Sequence, residues 1–264
     1  MRLIFPTDLT LRSLQITRLL YSYVHKTEST IHVAYIHQSS PVLGNTFKDW
    51  LRLTIKNRLN AQLTPFNRSS RLNSGVYVGD QEATLRRLVG QQEATVLVHP
   101  GIQHNDHLPS ISTLQQLKVP ILVLPELVQQ IDIRDLLVTS FDEGFLFNGM
   151  VVRFLQRHVD KMKTRVHVLY ASASEKPDHI KHQLSESGNN PTLPDQYTTA
   201  SFAYHSVSNK LIKSTAQRFL GSLNADMMVY VPSSSTTNYS QLSSFLNLGK
   251  SFNIPLLIFP HEPV

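Results

Sequence analysis

The densest group of potential metal ligands is His99, His104, Asp106 and His107, inside the stretch His99-Pro-Gly-Ile-Gln-His-Asn-Asp-His-Leu-Pro-Ser-Ile-Ser-Thr113. A zinc site needs three or four such groups converging at about 2.0–2.2 Å. Spacing of this kind in a polar turn carries little specificity for that chemistry, and exposed histidines ahead of a helix are its ordinary reading; no metal is expected. The hydroxyl-rich run Ser233–Thr237 offers hydrogen bonds to an anion, but Thr237 or Asn238 placed before Leu242 and Phe245 reads more simply as a helix cap. His32 and His167 lie in the matching segments Ile31-His-Val-Ala-Tyr35 and Val166-His-Val-Leu-Tyr170. Proton sensing is the chemistry they offer, and a hydrogen-bonded core histidine of a covered strand is the plainer expectation. The absence of cysteine removes disulfides, thiol nucleophiles and thiolate metal sites together. The sequence contains no nucleophile elbow, zinc-protease His pair or glycine-rich dinucleotide loop. No catalysis is expected.

The elements that must position these residues come in two copies. Val119-Pro-Ile-Leu-Val-Leu-Pro-Glu126 is echoed by Ile254-Pro-Leu-Leu-Ile-Phe-Pro-His261, and the two His-containing segments share the same separation, since 255 − 120 and 167 − 32 both equal 135. Two matches at one offset indicate an internal duplication. The expected domains are residues 1–126 and 134–264, joined by a short connection. In each half, short β-branched runs alternate with segments of helical period, the pattern of a parallel sheet covered by helices. Expected strands are Leu3–Phe5, Ile31–Ile36, Gly75–Val78, Thr95–His99 and Ile121–Leu124, then Leu136–Thr139, Val166–Ala171, Phe202–Tyr204, Met227–Val231 and Leu256–Phe259. Ile16, Leu19, Leu20, Tyr23 and Val24 form one helix stripe, and Leu51, Ile55, Leu59 and Leu63 another. The polar stretch from Ser172 to Ala200 breaks the symmetry and reads as a short helix near His179–Leu184 followed by a loop. Trp50 is expected at a helix edge or subunit contact.

The 264 residues suffice for two domains with cores of their own, and 41% hydrophobic content with mixed charge is that of a globular protein. No apolar run approaches the roughly 18 residues of a membrane helix. The opening Met1-Arg-Leu-Ile-Phe-Pro runs straight into a strand without a separate apolar leader, so a cytoplasmic location is expected. A net charge of +6 and a pI near 9.5 invite a nucleic-acid reading. The cations, Arg12, Arg18, Arg52, Lys56, Arg58 and others, are scattered along presumed helix faces. Solvated surface explains them better, and nucleic acid is not expected as a partner.

The opening Leu3-Ile-Phe-Pro-Thr-Asp8, the strand Ile31-His-Val-Ala-Tyr-Ile-His37, the turn Val78-Gly-Asp80 and the closing Val119-Pro-Ile-Leu-Val123 together resemble a universal stress protein domain, and the second half resembles one more distantly. The resemblance implies an α/β fold of two tandem five-stranded parallel sheets, each in the order 3-2-1-4-5 with helices on both faces, packed as a pseudo-dimer. Val119–Leu124 and Ile254–Phe259 would form its seam. In such a sheet ligands bind beyond the carboxyl ends of the strands where the order reverses. The resemblance therefore implies a candidate ligand site of Pro6, Thr7 and Asp8, then Ile36, then His99 and Gly101. In nucleotide-binding members the Asp and the residue matching Ile36 lie against the nucleoside, and a glycine motif after strand four wraps the phosphates.

Those glycines let backbone amides approach phosphate oxygens closely. Here the segment after strand four holds only Gly101, reaches Pro120 too soon for the full motif, and adds the negative charge of Asp106. The second copy has Pro232-Ser-Ser-Ser-Thr-Thr-Asn-Tyr-Ser240, with no glycine, and Phe141 where the first has Asp8. Neither copy is expected to hold ATP in the family's way, and no cofactor is expected. ATP or AMP in the first half is the disfavoured alternative. The resemblance implies a stress-response or regulatory protein acting through a protein partner or a small ligand. A homodimer is compatible with it.

Overall fold

A computed structural model describes residues 1–38, 45–66, 70–92, 96–101, 108–131, 133–141, 150–151, 153–155, 164–172, 201–232 and 239–260. The expected helix and loop over residues 173–200, the Ser233–Thr237 turn with its capping residues, and the loop ligands His104, Asp106 and His107 lie outside the described residues. The chain divides into two compact units, Met1–Ile131 and Asp132–Val264.

Along the first unit run β1 (Arg2–Thr7), α1 (Leu11–Thr27), β2 (Thr30–His37), α2 (Asn45–Leu63), β3 (Leu72–Val78), α3 (Gln81–Gln92), β4 (Val96–His99), α4 (Ile111–Gln115) and β5 (Ile121–Val123). β1 pairs in parallel with β2 on one side and β4 on the other, β3 extends the sheet beyond β2, and β5 extends it beyond β4. The order is thus β3-β2-β1-β4-β5. In the second unit, β6 (Asp135–Ser140), β7 (Arg165–Ser172), β8 (Ser201–Ser208), β9 (Met227–Val231) and β10 (Leu256–Ile258) repeat that scheme. All their pairs are parallel, and the order is β8-β7-β6-β9-β10. Burial follows position in the sheet: β1 is buried from Leu3 to Thr7 and β6 throughout, whereas Asn73 and Ser74 of β3 are exposed.

Two strands are longer than their apolar content suggests. β3 begins at Leu72 because Leu72, Asn73 and Ser74 pair with Ile31, His32 and Val33 of β2. β8 likewise continues through Ser208 opposite Ser172. Backbone pairing with a well-formed neighbour supplies the hydrogen bonds that these polar stretches do not announce in their side chains.

α1 starts where Thr10, in extended conformation, accepts a hydrogen bond from the Ser13 N–H, and it ends at Glu28, whose left-handed backbone (φ 54°) returns its N–H to the Val24 carbonyl. His25 and Lys26 in the last turn suit the negative end of the helix dipole. Its stripe Ile16, Leu20, Tyr23 and Val24 is buried, as the spacing requires. In α2 only the C-terminal part of the expected stripe, Leu59 and Leu63, is buried. The first turns stand outward: Trp50 is 58% exposed and rests against the Phe47 ring at 5.6 Å. Among the described residues no helix is long and apolar enough to cross a membrane.

The duplicated histidines occupy equivalent registers, His32 opposite Ile4 of β1 and His167 opposite Leu137 of β6, yet their surroundings differ. His32 is buried, and its Nε2 lies 2.9 Å from the Tyr77 hydroxyl. Burial holds its pKa below the ordinary histidine value. Gly75 makes that contact available, because a Cβ there would meet the Tyr77 hydroxyl oxygen at 2.6 Å. Gly75 pairs with Ala34, two residues after His32, and the matching place opposite Leu169, two after His167, belongs to His205. The His205 ring lies stacked with that of His167, with centroids 6.2 Å apart, and Phe219 packs edge-on against both. The expected hydrogen-bonded core histidine is therefore realised by His32 through Nε2, while its Nδ1, like Nδ1 of His167 and Nε2 of His205, is buried without a hydrogen-bond partner.

Gly75→Ala should push the Tyr77 ring off His32, and Tyr77→Phe should remove the same hydrogen bond. Denaturant unfolding of both single variants and the double should show non-additivity of about 0.5–3 kcal/mol; strictly additive losses would mean that Gly75 does not serve that contact.

Candidate functional site

The sheet order leaves β1 between β2 and β4, so the chain leaving β1 and the chain leaving β4 pass to different connections at one carboxyl edge. That edge carries Pro6 and Thr7 of β1 with Asp8 directly after it, Ile36 of β2, and His99 of β4 with Gly101 two residues beyond it. The fold gathers all six, but it engages their polar atoms with the chain itself.

Thr7 is buried, and its Oγ1 accepts the N–H of Leu9 at 3.1 Å. Leu9 adopts a left-handed backbone (φ 62°) that a leucine rarely takes. Its side chain is buried, and its carbonyl accepts a hydrogen bond from Gln62 Nε2 of α2 at 3.1 Å. Asp8 Oδ1 accepts the Thr10 N–H at 3.0 Å, the Thr10 hydroxyl at 2.7 Å and the Ser13 hydroxyl. Burial would raise the carboxyl pKa, but the hydrogen bonds from Ser13 and Thr10 outweigh it and hold Asp8 below its ordinary value. Asp8 is thus an ionised brace for the start of α1.

His99 is 6% exposed. Its Nδ1 accepts the Gly101 N–H at 3.0 Å, which leaves the proton on Nε2 to donate toward the Pro109 backbone. Burial pushes its pKa down to about 4, with the Pro109 hydrogen bond opposing the shift. The neutral ring ties the start of the post-β4 segment to its end. Gly101 has φ 70°, and a Cβ there would stand 2.5 Å from the Leu124 carbonyl oxygen. The Leu124 N–H in turn donates to the His99 carbonyl at 2.9 Å. In the described residues this glycine serves the close approach of the chains leaving β4 and β5. Ile36 and Pro6 are buried.

Three nearby groups carry no sequence signal. Tyr35, half-buried, has its phenol pKa raised by burial, lowered by Arg58 and raised by Asp8, so a cation of α2 stands within electrostatic reach of the same edge. Gln62 and Arg58 look like surface residues in the sequence, and only the packing of α2 over the post-β1 turn reveals them. Among the described residues no cluster of three or more His, Asp or Glu side chains could hold a metal.

The second unit closes the equivalent edge with aromatic rings. Registers Ile4 with His32 and Leu137 with His167 set the offset between β1 and β6 at 137 − 4 = 133, which puts Phe141 in the place of Asp8. Phe141 packs edge-on against Tyr230 and Phe245, each at 6.1 Å, and those two rings lie 5.0 Å apart. Burial pushes the Tyr230 phenol up to about 12. Thr139 donates its hydroxyl to the Val229 carbonyl at 2.9 Å.

The structure is similar to that of a universal stress protein from Archaeoglobus fulgidus DSM 4304, with a TM-score of 0.69 over 98% of this chain and 96% of that one, at 13% sequence identity. This is the universal stress protein fold. A functionally unknown protein from Pseudomonas aeruginosa PAO1 and a provisionally assigned universal stress protein from Pseudomonas aeruginosa UCBPP-PA14 both reach a TM-score of 0.57. Their identities are 12% and 11%, and each match covers 98% of this chain and 92% of the other. No protein-family model and no curated protein matches the sequence. The resemblance read from the motifs is borne out as a universal stress protein fold spanning both halves.

Gly101→Ala should destabilise the protein by about 2 kcal/mol or more, since it adds a strained backbone to a carbonyl clash; a loss below half a kilocalorie in chemical denaturation would refute the close-approach role. His99 makes a pH prediction. Its folded pKa is depressed relative to the unfolded value near 6.5, so the unfolded state binds the extra proton first as pH falls. The His99 contribution is complete above about pH 6.5 and is lost between there and about pH 4, amounting to roughly 3 kcal/mol. His99→Gln should flatten the wild-type stability profile across that window, and parallel profiles would exclude the latch.

Proposed function

We propose that the protein is a non-catalytic regulatory protein of the universal stress protein type that acts through protein contacts. The observation that carries this reading is the internal engagement of the strand-end groups: Asp8 with Thr10 and Ser13, Thr7 with Leu9, and His99 with Gly101. A side chain that must meet a ligand needs its acceptor directed outward, whereas these cap a helix and close loops. Phe141, Tyr230 and Phe245 supply the second unit with a hydrophobic plug at the same edge, which suits a structural copy. The duplicated fold then serves as a scaffold whose outer surfaces carry the specificity, consistent with fold and function being separable.

Adenine-ligand sensing in the first unit is the competing outcome of the decisive test. Thermal unfolding should be unchanged by millimolar ATP, ADP, AMP or adenosine, because a ligand that binds only the native state raises its stability by mass action. Asp8→Ala should lower stability by about 1 kcal/mol through the lost helix brace. An upward shift with an adenine compound, abolished in Asp8→Ala, would replace the protein-contact reading by a sensor.

A further inference from the structure

Along the outer side of α1 runs a groove of about 730 Å³, bounded on the other side by residues 126–131 that follow β5. Its α1 wall is made by Arg12, Gln15, Leu19, Ser22 and Lys26. Their spacing of three, four, three and four keeps them in one line along the helix. Arg18 joins them from the neighbouring row. The volume falls within the roughly 300–1,000 Å³ of ligand-binding clefts. From Arg12 to Lys26 the helix rises 14 residues at about 1.5 Å each, close to 21 Å, the reach of about six residues of extended chain.

The groove carries a net positive charge. Three cations, Arg12, Arg18 and Lys26, face one acid, Glu126, for a local balance of 3 − 1 = +2. Arg12 is fixed at one end, since it is half-buried and its Nη2 donates to the Pro125 carbonyl. Glu126 lies within electrostatic reach of it. Arg18 and Lys26 are exposed. They extend into solvent beside an apolar lip, Leu127, which is 72% exposed. Such a surface is complementary to carboxylates interspersed with an apolar side chain.

Nucleic acid and nucleotides fit it less well. Among the described residues that line the groove one is aromatic, Tyr23; it is 2% exposed and offers no face for a base to stack on. Among the described lining residues no glycine contributes backbone amides for phosphate. The amides of Gln15, Gln129 and Gln130 can instead donate to and accept from a peptide backbone.

We propose that the groove between α1 and residues 126–131 is a docking site for an acidic, leucine-containing peptide segment of a partner protein, held by Arg12, Arg18 and Lys26. The proposal rests on the protein-contact reading and locates that contact. It is independent of the strand-end site, since none of Thr7, Asp8, Ile36, His99 and Gly101 lines the groove.

The test is fluorescence anisotropy of the full chain with a short labelled peptide of glutamate and leucine. Saturable binding is expected, weakening steeply with salt and falling at least about tenfold in Arg18→Glu/Lys26→Glu, whose exposed positions leave the core intact. Glu126→Gln should tighten it. Absence of saturable binding, or equal affinity in wild type and the double variant, overturns the proposal. A single-stranded oligonucleotide that binds more tightly than the peptide and is lost in the double variant overturns it in favour of nucleic acid. Failure here leaves the thermal-shift test untouched, and an adenine-induced shift removes the protein-contact reading whatever the peptide does.

Discussion

Everything at the candidate site depends on β1 pairing in parallel with β2 on one side and β4 on the other. Because a parallel strand must return by a crossover, the helices after β1 and after β4 leave from the same edge but serve different halves of the sheet. Residues far apart in the chain are thereby delivered to one rim. The same constraint operates in the second unit through β6, β7 and β9. The duplicated scheme explains why His32 and His167 share a register although little else in their neighbourhoods is shared.

Within that frame the two copies satisfy their buried polar groups by different means. The first uses a tyrosine admitted by a glycine, Tyr77 over Gly75, to pair His32. The second stacks His205 on His167 beside Phe219; in both copies one nitrogen of each of these histidine rings is buried without a hydrogen-bond partner. At the carboxyl edge the first copy keeps an ionised Asp8, stabilised by Thr10 and Ser13, whereas the second packs a half-buried Phe141 against the buried rings of Tyr230 and Phe245. A carboxylate and an aromatic plug at one register are two stable solutions to the same rim. The first demands hydrogen-bond donors nearby, and the second demands only apolar neighbours.

Arg12 shows how charge changes meaning with packing. In composition it is one of many helix cations. In the fold its guanidinium meets the Pro125 carbonyl at the end of the groove, with Glu126 in electrostatic reach, so it positions the chain that follows β5 as well as contributing charge. Leucine at 127, by contrast, is apolar and exposed, the reverse of what hydropathy alone assigns. Both residues sit where a helix and an unpaired segment run side by side.

The alternation of β-branched runs with helical stripes, the offset of 135 residues and the missing phosphate glycines were legible in the sequence, because periodicity and residue type govern backbone choice locally. The α/β class follows from those signals, whereas the strand order and with it the rim residues came from the resemblance that the motifs carry. The polar starts and ends of β3 and β8 were not legible, since only pairing with β2 and β7 makes them strands. Nor was it legible that Asp8 braces α1, that Gly101 yields to the Leu124 carbonyl, or that Gln62 reaches the Leu9 carbonyl. Residue type and spacing determined the alternation of strands and helices, and the motif resemblance indicated which groups reach the rim; the direction in which each points was decided by the tertiary structure, because a hydrogen bond or a close carbonyl depends on partners brought from elsewhere in the chain.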